Sequence, residues 1–461
     1  MPDERATVRR VAWREILPWL LLFRTIGVAL ALRKMFLAAV AILLTWAGWS
    51  ILAYAFSGYA AQQSPLPVMV GAEPEGASVE LPYVNTFSSR IEEYQRTPWS
   101  TDLPTSARLI PGIGGATSED NPWTLQDCMV SPWLRLSAPV RQIFMDPDMT
   151  WVGLAFHASC ALWALFVWAL FGGMICRLAA VELTRDEKPS LGAAWAHVRP
   201  KLLAYIAAPL LPLVGVLLGI VFLSPLGLLL RLDVGSIVVG GLWCLVLVAG
   251  LVFAIFMVGL VFGWPLMWGA ISVEGQDSWD ALNRTYSYVY QRPLQFLFYV
   301  LVSGVVGLLG WMFVSLFATG VIYLGEWGVS WSSGGERMRI VEDAAPVSIR
   351  NYDWTAPTDL AAADAPSKPL RAGATMAAAW TAGARLLALG FGYSFFWTAA
   401  TGIYLLLRKD TDDAPLDEIA IDAPSSPTLA RTTISSNGEE GEVSPETASS
   451  SRGQNLANKP D

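Results

Sequence analysis

The chain has 461 residues, of which 54% are hydrophobic and only 15% are charged, and its mean hydropathy is +0.43. Soluble proteins contain about 25% charged residues, so this composition excludes an ordinary soluble protein. The formal net charge of −8 argues against nucleic-acid binding, which favours a basic surface.

Several apolar stretches are long enough to cross a bilayer, which takes roughly 20 residues of helix. The sequence therefore predicts an all-α integral membrane protein with about six transmembrane helices. We place these spans at 35–57, 149–176, 202–230, 236–262, 295–324 and 386–407.

The N-terminal segment, residues 1–34, carries an excess of arginine and lysine next to the first span. By the positive-inside rule this excess places the N-terminus in the cytoplasm. Pro18 and Arg24 interrupt the apolar residues of 13–32, and the segment has no small-residue cleavage site, so we expect an uncleaved interfacial amphipathic helix. A seventh span with a buried, functional Arg24 is the alternative.

Two long segments between spans, residues 58–148 and 325–378, are rich in small residues and proline and are predicted to be irregular extracytoplasmic loops. Within the first loop, Pro132 to Phe144 places apolar side chains at helical spacing, and we expect that helix to lie on the outer membrane surface. A folded receptor domain is the alternative for this loop.

The two remaining connections, residues 177–201 and 263–294, resemble each other and are predicted to be cytoplasmic elbows. Each passes through small residues to a glutamate, Glu182 or Glu274, then presents Ser-x-x-Ala and closes with Arg-Pro. Each contains a helix with one apolar face, which we expect to lie flat on the membrane. Asp277 or Ser278 can cap the second of these helices.

The fourth apolar run is uncharged for forty residues, from Val234 to Val273, which is too long for one straight span. Gly263-Trp264-Pro265 is the predicted break, and a re-entrant loop at 263–269 is the alternative. The third span contains Pro209, Pro212 and Pro225, which predict a bent helix.

The C-terminal segment, residues 408–461, is acidic, rich in Ser and Pro and poor in aromatic residues, and is predicted to be a disordered cytoplasmic tail. With both termini inside, we expect a multi-pass protein of the bacterial cytoplasmic (inner) membrane.

No catalytic motif stands out, and the predicted spans contain no acidic residue. Four scattered cysteines and two histidines give no metal-ligand spacing. We therefore expect no cofactor, no metal and no enzymatic activity.

Three stretches carry a resemblance: Leu17-Pro18-Trp19-Leu20-Leu21-Leu22-Phe23-Arg24, the passage Leu32 to Trp49, and Tyr404-Leu405-Leu406-Leu407-Arg408-Lys409-Asp410. They resemble uncharacterised multi-pass membrane proteins of planctomycete-type bacteria, and the resemblance implies a cytoplasmic-membrane location. The paired elbows are also loosely similar to the membrane domain fused to some glycerophosphodiester phosphodiesterases.

The elbows combine basic, aromatic and amphipathic character, whereas the spans are uncharged. This pattern favours a non-catalytic membrane scaffold or accessory subunit that binds membrane lipids or a membrane-protein partner, including a second copy of itself. A permease-like carrier or channel for an uncharged or lipidic solute is the alternative, and a lipid enzyme with Glu182 and Glu274 as acids is a third hypothesis. The candidate contact residues are Glu182, Lys188, Trp195, Arg199, Lys201, Glu274, Trp279, Arg284, Tyr286 and Arg292.

Overall fold

The computed structural model describes residues 17–63, 94, 130–145, 149–333 and 367–420, and within them every regular element is helical. A short 3₁₀ turn, Pro18–Leu20, precedes the first helix. The α-helices are α1 (Leu21–Ala29), α2 (Leu32–Gln63), α3 (Val130–Met145), α4 (Trp151–Arg185), α5 (Leu191–Leu229), α6 (Asp233–Glu274), α7 (Ser278–Gln291), α8 (Pro293–Ser333) and α9 (Lys368–Asp412).

Six of these helices, α2, α4, α5, α6, α8 and α9, are long and apolar enough to cross a membrane. The prediction of an all-helical fold with about six helices of this kind is confirmed. Helix α9 occupies the centre, where it packs against α2, α4, α6 and α8. The outer parts of α5 and α6 expose most of their apolar side chains, as expected of helices that face lipid.

The core around α9 is built from stacked aromatic side chains. The rings of Trp268 and Trp397 stack at a centroid distance of 4.3 Å, and those of Trp168 and Tyr393 stack at 4.8 Å. Gly172 lies against this stack, and a Cβ atom at that position would stand 2.8 Å from the Trp268 ring. Glycine at 172 therefore lets α4 approach the aromatic core closely.

Prolines inside these helices leave backbone carbonyls without their usual donor, because proline has no N–H for the carbonyl four residues earlier. At three of these prolines, a side chain donates to that carbonyl instead. Trp268 Nε1 donates to the Tyr205 carbonyl (2.8 Å), which Pro209 leaves free. Trp133 Nε1 donates to Val261 O (3.1 Å), the carbonyl that Pro265 leaves free. Ser224 Oγ donates to Val221 O (2.8 Å), the carbonyl that Pro225 leaves free.

This compensation explains a wrong prediction in the fourth apolar run. The expected break at Gly263-Trp264-Pro265 is absent, and α6 continues from Asp233 to Glu274, about 63 Å at 1.5 Å per residue. Because Trp133 supplies the donor that Pro265 removes, the helix keeps its hydrogen bonding through the proline. The structure likewise has no re-entrant loop at 263–269.

The elbows also differ from the predicted flat helices. Residues from Leu191 onward form one helix with the third span, α5, and Pro200 lies inside it. The second elbow helix, α7, folds back along α6, where Tyr286 donates to the Phe256 carbonyl (2.6 Å) and Tyr290 donates to the Ile255 carbonyl. Helix-to-helix packing therefore orients α7.

The segment predicted as an interfacial helix, α1, packs lengthwise against α9. Gly402 lies beside Leu22 and Thr25, and Ser394 Oγ donates to the Ala29 carbonyl (2.9 Å). One side of α1 is thus fully buried in the bundle, because its small and apolar residues match the small residues of α9.

Several predicted boundaries move. Helix α8 continues to Ser333 and α9 begins at Lys368, so both extend into the predicted loop 325–378. Residues 408–420 of the predicted disordered tail are ordered, and the Ala420 N–H donates to the Val273 carbonyl (2.8 Å). The other parts of the predicted loops and tail, residues 64–93, 95–129, 146–148, 334–366 and 421–461, lie outside the described residues, as do 1–16. Helix α3, within the first predicted loop, packs against α4.

Candidate functional site

Glu182 lies in the last turn of α4, where it joins that helix to the start of α2. Its side chain is only 8% exposed and pairs with Arg33 and with Lys34 Nζ (2.6 Å). Lys34 is fully buried and also donates to the Val28 carbonyl (2.7 Å). A buried ammonium group is tolerated only when it is paired and hydrogen-bonded, and both conditions are met here.

Arg24 binds the same helix end. It donates to the carbonyls of Glu182 (2.7 Å) and Leu183 (3.3 Å), and it pairs with the carboxylate of Asp186. The last four carbonyls of a helix lack helical donors and carry the negative end of the helix dipole, which favours a cation at this position. Asp186 itself caps α4 in the left-handed conformation (φ 59°), which aspartate tolerates better than most residues.

A cavity of about 1080 Å³ opens beside this cluster. Three cations line it, Arg24, Arg33 and Lys188, together with the acids Glu182 and Asp186. Its remaining wall is apolar and includes Leu32 and Phe36, which are more than half exposed on the surface of α2. The cavity therefore combines a cationic floor with an exposed hydrocarbon wall.

Glu274, at the end of α6, is the centre of a second cluster. Arg284 Nη1 lies 3.0 and 2.8 Å from its two carboxylate oxygens, Arg408 Nε lies 3.2 Å away, and Tyr404 donates a hydrogen bond to it. The chain turns immediately afterwards at Gly275, whose φ of +69° favours glycine. The Glu274 cluster thus connects α6, α7 and α9.

Tyr288 extends this cluster to the end of α9. It donates a hydrogen bond to Asp412, which also lies 3.7 Å from Arg284. Burial raises the pKa of Tyr288, and the hydrogen bond to Asp412 and the charges of Asp412 and Glu274 raise that pKa further. The phenol therefore stays protonated and serves as a donor.

Residues 413–420 form a strap that returns from α9 to the end of α6. Arg177 donates to the carbonyls of Ser272 (2.8 Å) and Ala420 (2.9 Å), and Arg408 donates to the Glu418 carbonyl (2.7 Å). Buried arginine side chains thus hold both the strap and the helix end.

The predicted contact residues divide into several groups in the structure. Glu274 and Arg284 form an ion pair, and Glu182 and Lys188 line one cavity. Tyr286 bonds to α6, and Arg292 donates to Gln295 Oε1 (3.3 Å). The exposed members are Lys188, Trp195, Arg199, Trp279 and Arg292. Lys201 is partly buried near Gly275, where a Cβ atom would stand 2.7 Å from its Nζ.

The structure adds residues that sequence reasoning missed. Arg33, Lys34 and Arg408 flank spans, so from the sequence they were interpreted only as charges that orient the protein in the membrane. In the structure they pair with the two glutamates. The repeated glutamate was the one available signal, because an acid next to a span needs a cation. In the described ranges, no three His, Cys, Asp or Glu side chains are grouped to hold a metal ion.

Comparison with known proteins identifies no relative of this chain. No family model matches it, and neither a curated protein nor a solved structure does. The function of the chain is therefore inferred from the contacts of the two glutamate clusters.

Proposed function

We propose that this protein is a non-catalytic scaffold or accessory subunit of the cytoplasmic membrane that binds anionic lipid headgroups at the Glu182 cavity. The observation that carries the proposal is the pairing of a cationic floor with an exposed apolar wall in one cavity. A phospholipid presents the same two chemistries, a phosphate and a hydrocarbon chain.

The charge balance of the cavity supports an anionic ligand. Its three lining cations, Arg24, Arg33 and Lys188, outnumber the two lining acids, Glu182 and Asp186, by one. Lys188 is exposed at the cavity, and its flexible ammonium group can reach a headgroup.

The two glutamates support a structural role over catalysis. A general acid needs a free carboxyl group near the reacting atom. Glu182 and Glu274 are each bound by two basic side chains and are only 8% exposed, so both carboxylates are occupied by structural partners.

The distribution of charge supports a cytoplasmic position for both clusters and for the termini. Basic side chains concentrate near Glu182 and Glu274, at the ends of α4 and α9, in the first part of α5 and in α7. These residues include Arg177, Arg185, Lys188, Arg199, Lys201, Arg284, Arg408 and Lys409. Cytoplasmic loops of membrane proteins carry such an excess, and the anionic inner leaflet attracts it.

Native mass spectrometry of the full-length protein, titrated with phosphatidylglycerol and phosphatidylcholine, tests the headgroup site. We expect preferential binding of phosphatidylglycerol, and Lys188→Gln should weaken that binding about fivefold, since one lysine near an anionic lipid contributes about 1 kcal/mol. Arg185→Gln is the matched control, because it removes the same charge three residues away and outside the cavity lining.

Equal binding of the two lipids, or equal effects of the two substitutions, would contradict the headgroup site. The scaffold role has its own test in liposomes that contain only the purified protein. We expect neither lipid turnover nor solute movement there, and either activity would overturn the proposal.

A further inference from the structure

A second cavity, of about 360 Å³, lies among α3, α4, α5 and α6. Its inner wall is formed by Trp168, Trp264 and Trp268, and among all its lining residues only Ser137 and Arg141 are polar or charged apart from the tryptophan N–H groups. Trp168 precedes Glu182 by fourteen residues on α4, about 21 Å along the helix, so this cavity is separate from the Glu182 cavity.

Three of the four indole N–H groups around this cavity donate to other acceptors. Trp133 donates to the Val261 carbonyl, Trp268 to the Tyr205 carbonyl and Trp168 to Thr45 Oγ1 (3.0 Å). These tryptophans therefore present carbon atoms to the cavity. A cavity lined by carbon gives water too few hydrogen-bond partners, and such cavities instead accept apolar ligands.

The cavity opens at the end of α3, where Phe144 and Met145 are exposed, and at Leu162 of α4, which is 54% exposed. Arg141 lies one turn before Met145 on the same side of α3. No described carboxylate lies within ion-pair distance of Arg141. The opening thus offers one positive charge beside an apolar interior.

We propose that this cavity binds the hydrocarbon chain of an anionic lipid, with the lipid headgroup held by Arg141. The volume falls within the range of roughly 300–1,000 Å³ that is typical of ligand pockets. The cavity matches such a lipid in two ways: the carbon lining surrounds the hydrocarbon chain, and the guanidinium group at the opening donates hydrogen bonds to the negative headgroup. The lipid fills space between helices that would otherwise lack packing partners.

Photo-crosslinking in nanodiscs tests this proposal with the full-length protein. The probes are phosphatidylglycerol and phosphatidylcholine, each with a diazirine near the middle of one acyl chain, and peptide mass spectrometry locates the adducts. We expect phosphatidylglycerol adducts to concentrate on cavity residues such as Leu136, Leu165 and Leu213. Adducts spread evenly over the exposed surfaces of α5 and α6 would overturn the proposal.

Two pairs of variants sharpen the result. Ala161→Phe fills the cavity and should reduce cavity adducts at least fivefold, whereas Ala155→Phe places the same ring on an exposed position of α4 and should leave them unchanged. Arg141→Gln should remove the preference for phosphatidylglycerol, and the control Arg231→Gln, at the exposed turn between α5 and α6, should retain it.

Each variant is first checked for a single symmetrical peak in size-exclusion chromatography, and a misfolded Ala161→Phe protein is replaced by Leu213→Phe. Unchanged cavity adducts in the filled variant, or an unchanged lipid preference in Arg141→Gln, would overturn the proposal. Neither result bears on the Glu182 cavity, because Lys188 and Arg141 lie in separate cavities.

Discussion

Trp268 donates its indole N–H to the backbone carbonyl of Tyr205, at a distance of 2.8 Å. Pro209 leaves that carbonyl without a helical donor, so a tryptophan of α6 repairs the hydrogen bonding of α5. Trp133 has the same relation to Val261 and Pro265. In lipid, an unsatisfied backbone carbonyl is costly, and these bonds let proline occupy the interior of spanning helices.

Trp268→Phe should therefore destabilise the protein by about 1–3 kcal/mol, the cost of leaving a buried acceptor unsatisfied. In a Pro209→Ala background the same substitution should cost less, because alanine has a backbone N–H and restores the helical donor. Thermal unfolding in one detergent, arranged as a double-mutant cycle, measures the difference. Trp163→Phe is the control, since the carbonyl that Trp163 contacts, Leu44, retains the N–H of Gly48. Equal losses of stability from Trp268→Phe in the native and the Pro209→Ala proteins would show that Trp268 does not compensate for Pro209.

Glu182→Gln should destabilise the protein by about 3–5 kcal/mol, because it leaves the fully buried ammonium group of Lys34 without its counter-charge. The double variant Glu182→Gln with Lys34→Met should recover much of that loss, since it removes the uncompensated charge. Denaturation of the purified protein measures both. A double variant no more stable than Glu182→Gln alone would show that the pair is not the source of the effect.

Gly275→Ala should cost about 1–2 kcal/mol, because a left-handed backbone brings Cβ close to the carbonyl oxygen. The new Cβ atom would also stand 2.7 Å from Lys201 Nζ, so the lysine side chain has to move. Gly250→Ala serves as the comparison, since that helical glycine has open space around it and alanine favours helix. Thermal shifts of the two variants should have opposite signs.

Stability should fall as the pH rises above about 10, the ordinary tyrosine pKa. Burial raises the folded-state pKa of Tyr288, so its stabilising contribution is complete below the unfolded pKa and is lost as the pH rises through the folded pKa. Tyr288→Phe should make the decline shallower, and unfolding midpoints between pH 8 and 11 measure the slope. An identical slope in the variant would assign the decline to other groups.

Reporter fusions after Asp120 and Gly438 should report opposite sides of the membrane. The chain crosses it an odd number of times between the two positions if the five later apolar helices, α4, α5, α6, α8 and α9, all span. A periplasmic reporter should be active only after Asp120, and a cytoplasmic reporter only after Gly438. If the same reporter were active at both sites, one of these five helices would not cross the membrane.

The spans could be predicted because each is an apolar run that lipid requires to be helical. Glu182 and Glu274 could also be selected, since their repeated position next to a span stands out in the sequence. Their partners could not, because Arg33, Lys34 and Arg408 have an adequate role as flanking charges until the helices are packed together. The uninterrupted α6 was unpredictable for a related reason: the donor that compensates for Pro265 comes from Trp133, 128 residues away from the carbonyl it meets.

The pairing of Lys34 with Glu182 also sets an order of events during synthesis, since the two residues are 148 positions apart in the chain. Helix α2 leaves the ribosome first, and its lysine has no carboxylate to meet until α4 follows. At roughly 5–20 residues per second this interval is about 7–30 s. During that interval the ammonium group needs water, so we expect the N-terminal turn of α2 to stay at the aqueous boundary until α4 docks.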